Sequence, residues 1–218
     1  MRVFNKMLLI VVALCFALSI SLCGCGDKAP TPTETADTFL TAVKAQDTET
    51  IKTVYEEGTI DMLASLDEDE EESDGEDSLL SDEYFEKTLL PKMLDFDYEL
   101  SNEKIDGDKA TVDVKITTYD IGSAFTAFMA DYFTQAITMA FEGASDEEIE
   151  KLANTTFESK MSELKEKTYS ETVTLDLVNK DDVWKVAEID DDSEFWNALT
   201  GNMVKTLDQL EETYSFEE

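Results

Sequence analysis

Phe96-Asp97-Tyr98-Glu99-Leu100 and Ala110-Thr111-Val112-Asp113-Val114-Lys115-Ile116-Thr117, joined through Asp106-Gly107-Asp108, decide the fold. Apolar and polar residues alternate in both stretches, the period that puts successive side chains on opposite faces of a strand. The Asp-Gly-Asp link carries turn chemistry, so the pair reads as an antiparallel hairpin with one dry and one wet face. The same alternation returns at Val173, Leu175 and Leu177. There a turn at Asn179-Lys180-Asp181-Asp182 leads into Val183-Trp184-Lys185-Val186, with Trp184 and Val186 directed inward. Strands that arrive as hairpins, without crossover helices between parallel neighbours, point to an α+β fold with an antiparallel sheet.

Outside the hairpins the period changes to that of helices. Thr31-Pro32-Thr33-Glu34 is a capping box with proline at the first helical position, and Ala36, Phe39, Leu40 and Val43 follow on one face. Asp47 caps a second helix that carries Ile51, Val54 and Tyr55 inward and stops at Gly58. A short piece over Ile60 to Leu66 comes next. Ser81 then starts a helix through Tyr84, Phe85, Thr88 and Leu89, which Pro91 ends or kinks.

Two helices separate the hairpins, together spanning residues 121–167. The first carries Phe125, Phe128, Met129, Tyr132, Phe133, Ile137 and Phe141, a stripe wide enough either to cover the sheet or to wall a ligand cavity or partner groove. The second opens on a capping box at Ser145-Asp146-Glu147-Glu148 and runs through Leu152, Phe157, Met161 and Leu164. A last helix, capped by Asp191 and Glu194, carries Trp196, Leu199, Met203, Leu207, Leu210 and Tyr214.

The N-terminal segment has the pattern of an exported precursor. Arg2 and Lys6 precede an apolar run from Met7 to Leu22, which closes on Cys23-Gly24-Cys25-Gly26. The run is too short and too broken by Ser19 and Ser21 for a spanning helix of about 20 apolar residues. Leu22-Cys23-Gly24-Cys25 resembles the bacterial lipobox, and the resemblance implies cleavage between Gly24 and Cys25 with diacylglycerol on Cys25. On this reading residues 1–24 are a lipoprotein signal peptide, 25–33 the lipidated cysteine and a polar Pro/Thr tether, and 34–218 a single domain. Plain secretion and a retained N-terminal anchor are the alternatives. Two acyl chains give stable anchoring where one is marginal. Cys15 and Cys23 would leave with the signal, so no disulfide or thiolate metal site would survive in the mature chain.

Charge narrows the chemistry. The chain has 51 acidic residues against 17 lysines and arginines, no histidine, and a net charge of -34. Arg2 is the only arginine, and its removal with Lys6 makes the charge more negative by two. Histidine-based acid/base catalysis, serine or cysteine triads and histidine zinc sites are excluded, as is an arginine clamp on phosphate. Nucleic acid and an anionic bilayer face would be repelled. The expected partners are the membrane, through diacylglycerol on Cys25, and a protein or small neutral or cationic ligand. No cofactor is expected. The acidic run at 67–77 reads first as a solvated loop. As a calcium loop its register fails, because Glu70, Glu72 and Asp74 with Gly75 at the turn put Ser81 where the bidentate Glu belongs.

Three motifs carry a family resemblance. The stretch from Ala36 to Asp47 resembles the opening helix of small NTF2-like (cystatin-like) lipoproteins of Firmicutes-type bacteria. Ile105-Asp106-Gly107-Asp108-Lys109-Ala110-Thr111-Val112 resembles their central hairpin, and Asp182-Val183-Trp184-Lys185-Val186 their strand near the C-terminus. The resemblance implies a cone in which N-terminal helices pack on a curved antiparallel sheet, here with a two-helix insertion between the hairpins and an added C-terminal helix. It implies no particular activity, because this fold hosts enzymes, carriers and interaction modules. A non-enzymatic, membrane-tethered binding domain is the leading functional reading. The alternatives are a carboxylate-dependent enzyme with its site in the cone, and a Ca²⁺-binding surface protein using residues 67–77. Asp120, Asp131, Tyr98, Tyr119 and Tyr132 are the candidate polar groups near core elements. Each has a plainer role as a packing residue, a strand end or a solvated helix face. Trp184 could line a pocket, though a core indole is the simpler reading.

Overall fold

The computed structural model describes residues 29–60 and 85–214. Gly24, Cys25, the acidic run 67–77 and, beyond Ile60, the short piece expected over Ile60 to Leu66 lie outside them, as does the expected helix start at Ser81. The described residues form a mixed α+β fold in which four strands make one antiparallel sheet, each strand paired with the next in chain order.

Helix α1 (Pro32–Ala45) begins as its sequence requires. The Thr31 hydroxyl accepts from the Glu34 amide at 3.2 Å, and the Thr31 amide donates to the Glu34 carboxylate at 2.8 Å. Gln46, at φ 54°, closes it in the left-handed conformation. Helix α2 (Thr48–Val54) is capped by Asp47, which accepts from the Thr50 amide at 3.0 Å. It stops before Gly58, because Tyr55 turns extended and bridges Val186 of the sheet, where the Glu56 amide donates to the Val186 carbonyl at 2.9 Å. Further on, a π-helical turn (Phe85–Leu89) passes into α3 (Leu90–Leu94). Pro91 sits in the first turn of α3, where a missing N–H costs nothing, so it opens a helix instead of ending one.

The sheet consists of β1 (Asp97–Asp106), β2 (Lys109–Thr118), β3 (Tyr169–Lys180) and β4 (Val183–Val186). Ala110 pairs with Leu177, Val112 with Leu175 and Val114 with Val173, which gathers the apolar side of each strand on one face. The register runs on to Thr118 opposite Tyr169. Asp181 and Asp182 both take positive φ, 54° and 64°, giving the β3–β4 hairpin the twist of a type I′ turn. Strand β1 departs from the expected alternation. Beyond Leu100 its residues are exposed, and a bulge between Ser101 and Lys104 lets Asn102 adopt φ 54° and bond Asp113 at 2.9 Å.

Helices α1 and α2, with a later helix α6 (Glu194–Leu199), close the inward face. Phe39 lies under them with its ring 5.4 Å from Tyr55 and 6.0 Å from Phe195. Ala36, Phe39, Leu40, Val43, Val112, Val114 and Ile116 are all 0% exposed, so this core is closed. A second apolar cluster lies beyond the end of the sheet. Helices α4 (Ile121–Glu142) and α5 (Asp146–Glu163) form an antiparallel hairpin packed on Leu89 and Met93, with Phe128, Phe157 and Met161 at its centre. The Ser145–Glu148 capping box opens α5 as read from the sequence. Within the described residues no helix is long and apolar enough to cross a membrane.

The C-terminal helix of the sequence reading is two helices, α6 (Glu194–Leu199) and α7 (Met203–Tyr214). Its cap is Ser193, which accepts from the Trp196 amide, and not the Asp191/Glu194 pair. The break falls at Gly201, φ 59°. A Cβ there would meet the Tyr119 carbonyl at 1.9 Å, and the Gly201 carbonyl accepts from the Gly122 amide at 2.9 Å. Close docking of this corner against the start of α4 therefore requires a glycine, and it ends the helix.

Candidate functional site

The inward face of β3 changes character along its length. Val173, Leu175 and Leu177 are buried in the core, but the next inward positions toward the start of the strand hold Glu171 and Tyr169. The Tyr169 hydroxyl donates to the Glu171 carboxylate at 2.5 Å. Asn197 of α6, fully buried, donates to that carboxylate at 3.1 Å and to the Tyr169 oxygen at 3.3 Å. Its own carbonyl accepts from the Lys205 amide at 3.0 Å, and Lys205 Nζ reaches Glu171 at 3.4 Å. Glu171, Tyr169, Asn197 and Lys205 thus bind the head of β3 to the corner between α6 and α7.

The electrostatics decide what this cluster can do. Burial works against a charged Glu171, but donation from Tyr169, the Lys205 charge and donation from Asn197 outweigh it. The carboxyl therefore stays below its ordinary range. Burial, then the hydrogen bond to Glu171 and its charge, push the Tyr169 phenol well above its ordinary value. A general acid or base near neutrality needs the opposite tuning, a carboxyl raised toward neutral pH or a phenol lowered toward it. Its hydrogen bonds and the Lys205 ion pair make the cluster a charged latch between β3 and the helical corner. Beside it, Thr118 buries a hydroxyl oxygen without a hydrogen-bond partner.

The candidates read from the sequence do not converge. Asp120 caps α4, accepting from the Ser123 amide at 3.1 Å and its hydroxyl at 2.9 Å. Asp131 pairs with Lys160 of α5 at 2.6 Å. Tyr98 donates to Asp37 of α1 at 2.7 Å, and Tyr119 donates to Asp95 at 2.8 Å with Lys92 Nζ 4.5 Å above its ring. Tyr132 stacks on Phe128, and Trp184 packs half-buried against the sheet core. Among the described residues no cluster of His, Cys, Asp or Glu is arranged to hold a metal ion. Glu171 was legible as a charged residue on an inward period, but its partners Asn197 and Lys205 come from a corner the sequence reads as continuous helix.

The aromatic stripe of α4 divides in two. Phe125 and Phe128 pack into the second cluster against Phe157 and Met161, so this half covers α5 and α3 and not the sheet. The outer half is open, with Phe133 43%, Ile137 57% and Phe141 89% exposed. From Tyr132 to Phe141 there is no charged residue, although the chain as a whole is 31% charged. Elsewhere among the described residues, a wide, open cleft of about 640 Å³ lies between α1 and Leu100 of β1, lined by Thr33, Glu34, Asp37 and Thr38. The surface is also hollowed along the loop 187–193. There, clefts of about 300 and 230 Å³ are rimmed by Glu188 and Asp190.

No family model matches the chain, and no curated protein matches it. A solved structure from Bacillus subtilis, described as a "putative lipoprotein", aligns at 19% identity with a TM-score of 0.36. The alignment covers 55% of this chain and 40% of the other. At that level the likeness carries no argument about activity.

Proposed function

We propose that the protein is a lipid-anchored, extracytoplasmic binding domain without catalytic activity. The observation that carries binding is the open outer half of α4, an uncharged apolar surface on an otherwise strongly acidic molecule. Surfaces of that kind on soluble domains mark interaction sites. The anchor rests on the sequence from Met7 to Gly26, with cleavage after Gly24 and diacylglycerol on Cys25. A domain this acidic gains little from an anionic bilayer, so the lipid supplies the attachment. The hydrogen bonds that tie Tyr169 and Glu171 to each other, to Asn197 and to Lys205 favour a structural role for these groups over that of a carboxylate enzyme at the sheet. We read the fold as NTF2-like, on the strength of the opening helix laid against an antiparallel sheet and of the three motifs above. Its partners are then the membrane through Cys25 and a protein or small neutral or cationic ligand, and not nucleic acid.

Metabolic labelling with a fatty acid tests the anchor. The wild type incorporates label and fractionates with membranes, and Cys25→Ala does neither. Label retained by Cys25→Ala overturns the assignment.

A further inference from the structure

We infer that the outer half of α4 docks a basic amphipathic helix of another protein. The inference rests on the binding reading above and names its partner class. Ile137 and Phe141 stand four residues apart, the spacing of a surface ridge that interdigitates with a like ridge on a second helix. Phe133 continues the row toward the body of the molecule, its ring 5.5 Å from that of Tyr132 and tilted 52° to it. The ridge ends in an acidic crown. Glu142, Asp146, Glu147, Glu148 and Glu150 are all exposed around the α4–α5 turn, and no lysine appears until Lys151.

This juxtaposition selects the occupant. An apolar row beside a block of carboxylates complements a helix with one apolar face flanked by lysines or arginines. A second copy of the chain would bring another net charge of -34 to the contact. A bilayer is disfavoured by position as well as by charge. The tether enters at α1, where the Thr33 amide bonds Glu103 at 2.9 Å, toward the turn end of β1. The helical hairpin is rooted at the other end of the sheet, after Thr118, and packs chiefly on itself and α7. From Cys25 to Thr31 the chain reaches only about 20 Å when extended.

The test uses the full-length protein in nanodiscs of zwitterionic lipid, titrated with a labelled leucine/lysine amphipathic peptide at about 0.15 M salt, with empty discs subtracted. The charge-neutral pair I137S/F141S should weaken binding at least about tenfold, the loss of two apolar anchors, with the melting temperature unchanged. E147Q/E150Q should weaken it about threefold. A leucine/glutamate peptide of the same length should not bind. Equal affinity of wild type and I137S/F141S overturns the proposal, as does a dimer in sedimentation that the same pair dissolves. A leucine/serine peptide separates the two levels of inference. If it binds the ridge as well as the basic peptide, the partner class falls and the binding reading stands; if neither binds, both fall.

Discussion

The sheet core and the α4–α5 hairpin are built from similar residues and end differently. Around Phe39 the apolar side chains are enclosed by strands beneath and by α1, α2 and α6 above. In the hairpin, Phe125, Phe128, Phe157 and Met161 are enclosed near the root, while Ile137 and Phe141 stay in water near the tip. The difference lies in the partners. The inward face of the sheet is covered by α1, α2 and α6 together. Helix α4 is apolar or neutral on nearly every side, whereas α5 is amphipathic and covers only one side of it. A closed core contributes stability; a half-covered one contributes stability at its root and a surface at its tip.

Substituting the same residue type in the two clusters is the hardest test of that contrast. Phe39→Ala should cost about 3–5 kcal/mol and lower the urea midpoint of the whole domain. Phe128→Ala removes an equally buried ring, but its effect should be local. Amide protection should fall across α4 and α5 while β2 and β3 exchange as in the wild type. Coincident loss of protection in both regions would show one cooperative unit and end the comparison.

Gly201→Ala probes the corner that joins the two regions. Positive φ and a collision with the Tyr119 carbonyl should together cost roughly 2–3 kcal/mol by thermal unfolding, the left-handed backbone alone accounting for part. Glu171→Gln should cost about 1–2 kcal/mol at neutral pH, the worth of charge-assisted hydrogen bonds. The sign with pH follows from the direction of the shift. A carboxyl held below its ordinary value stabilises the native state above the unfolded carboxylate range, and that contribution is lost as pH falls through the folded value. The phenol of Tyr169, raised in the folded state, contributes below its ordinary value near 10 and is lost as pH rises beyond it. The acid-side dependence should flatten in Glu171→Gln, and the alkaline loss should shrink in Tyr169→Phe, both read from stability against pH. Thr118→Val should be the mildest change. Removing a buried hydroxyl with no partner should leave stability within about 1 kcal/mol of the wild type or raise it. A larger loss would mean that this oxygen is satisfied by water.

The local elements were legible where a short-range rule governs them. The Thr31–Glu34 and Ser145–Glu148 boxes, the Asp47 cap and the alternation through Val112, Val114 and Ile116 depend on neighbours within a turn or a pleat. The misreadings arise where a distant backbone intervenes. Pro91 is instead a local case, since a proline in a first turn opens a helix where one further in would end it. Tyr55 leaves its helix to meet Val186, and Gly201 splits a periodic run because Tyr119 lies against it. The latch at Glu171 was hidden for the same reason, since Asn197 and Lys205 reach it only once that split has formed.

The pairing of Thr118 with Tyr169 has an evolutionary consequence. In an antiparallel ladder, directly opposed residues lie about 5 Å apart, the span a two-residue turn closes. Everything from Tyr119 to Thr168 hangs from that single rung. A lineage could therefore lose, exchange or lengthen the whole helical hairpin without changing the register of any strand, provided the surfaces of α3 and α7 adapt to its absence. The sheet can stay conserved as a chassis while its outboard module diversifies with whatever it meets.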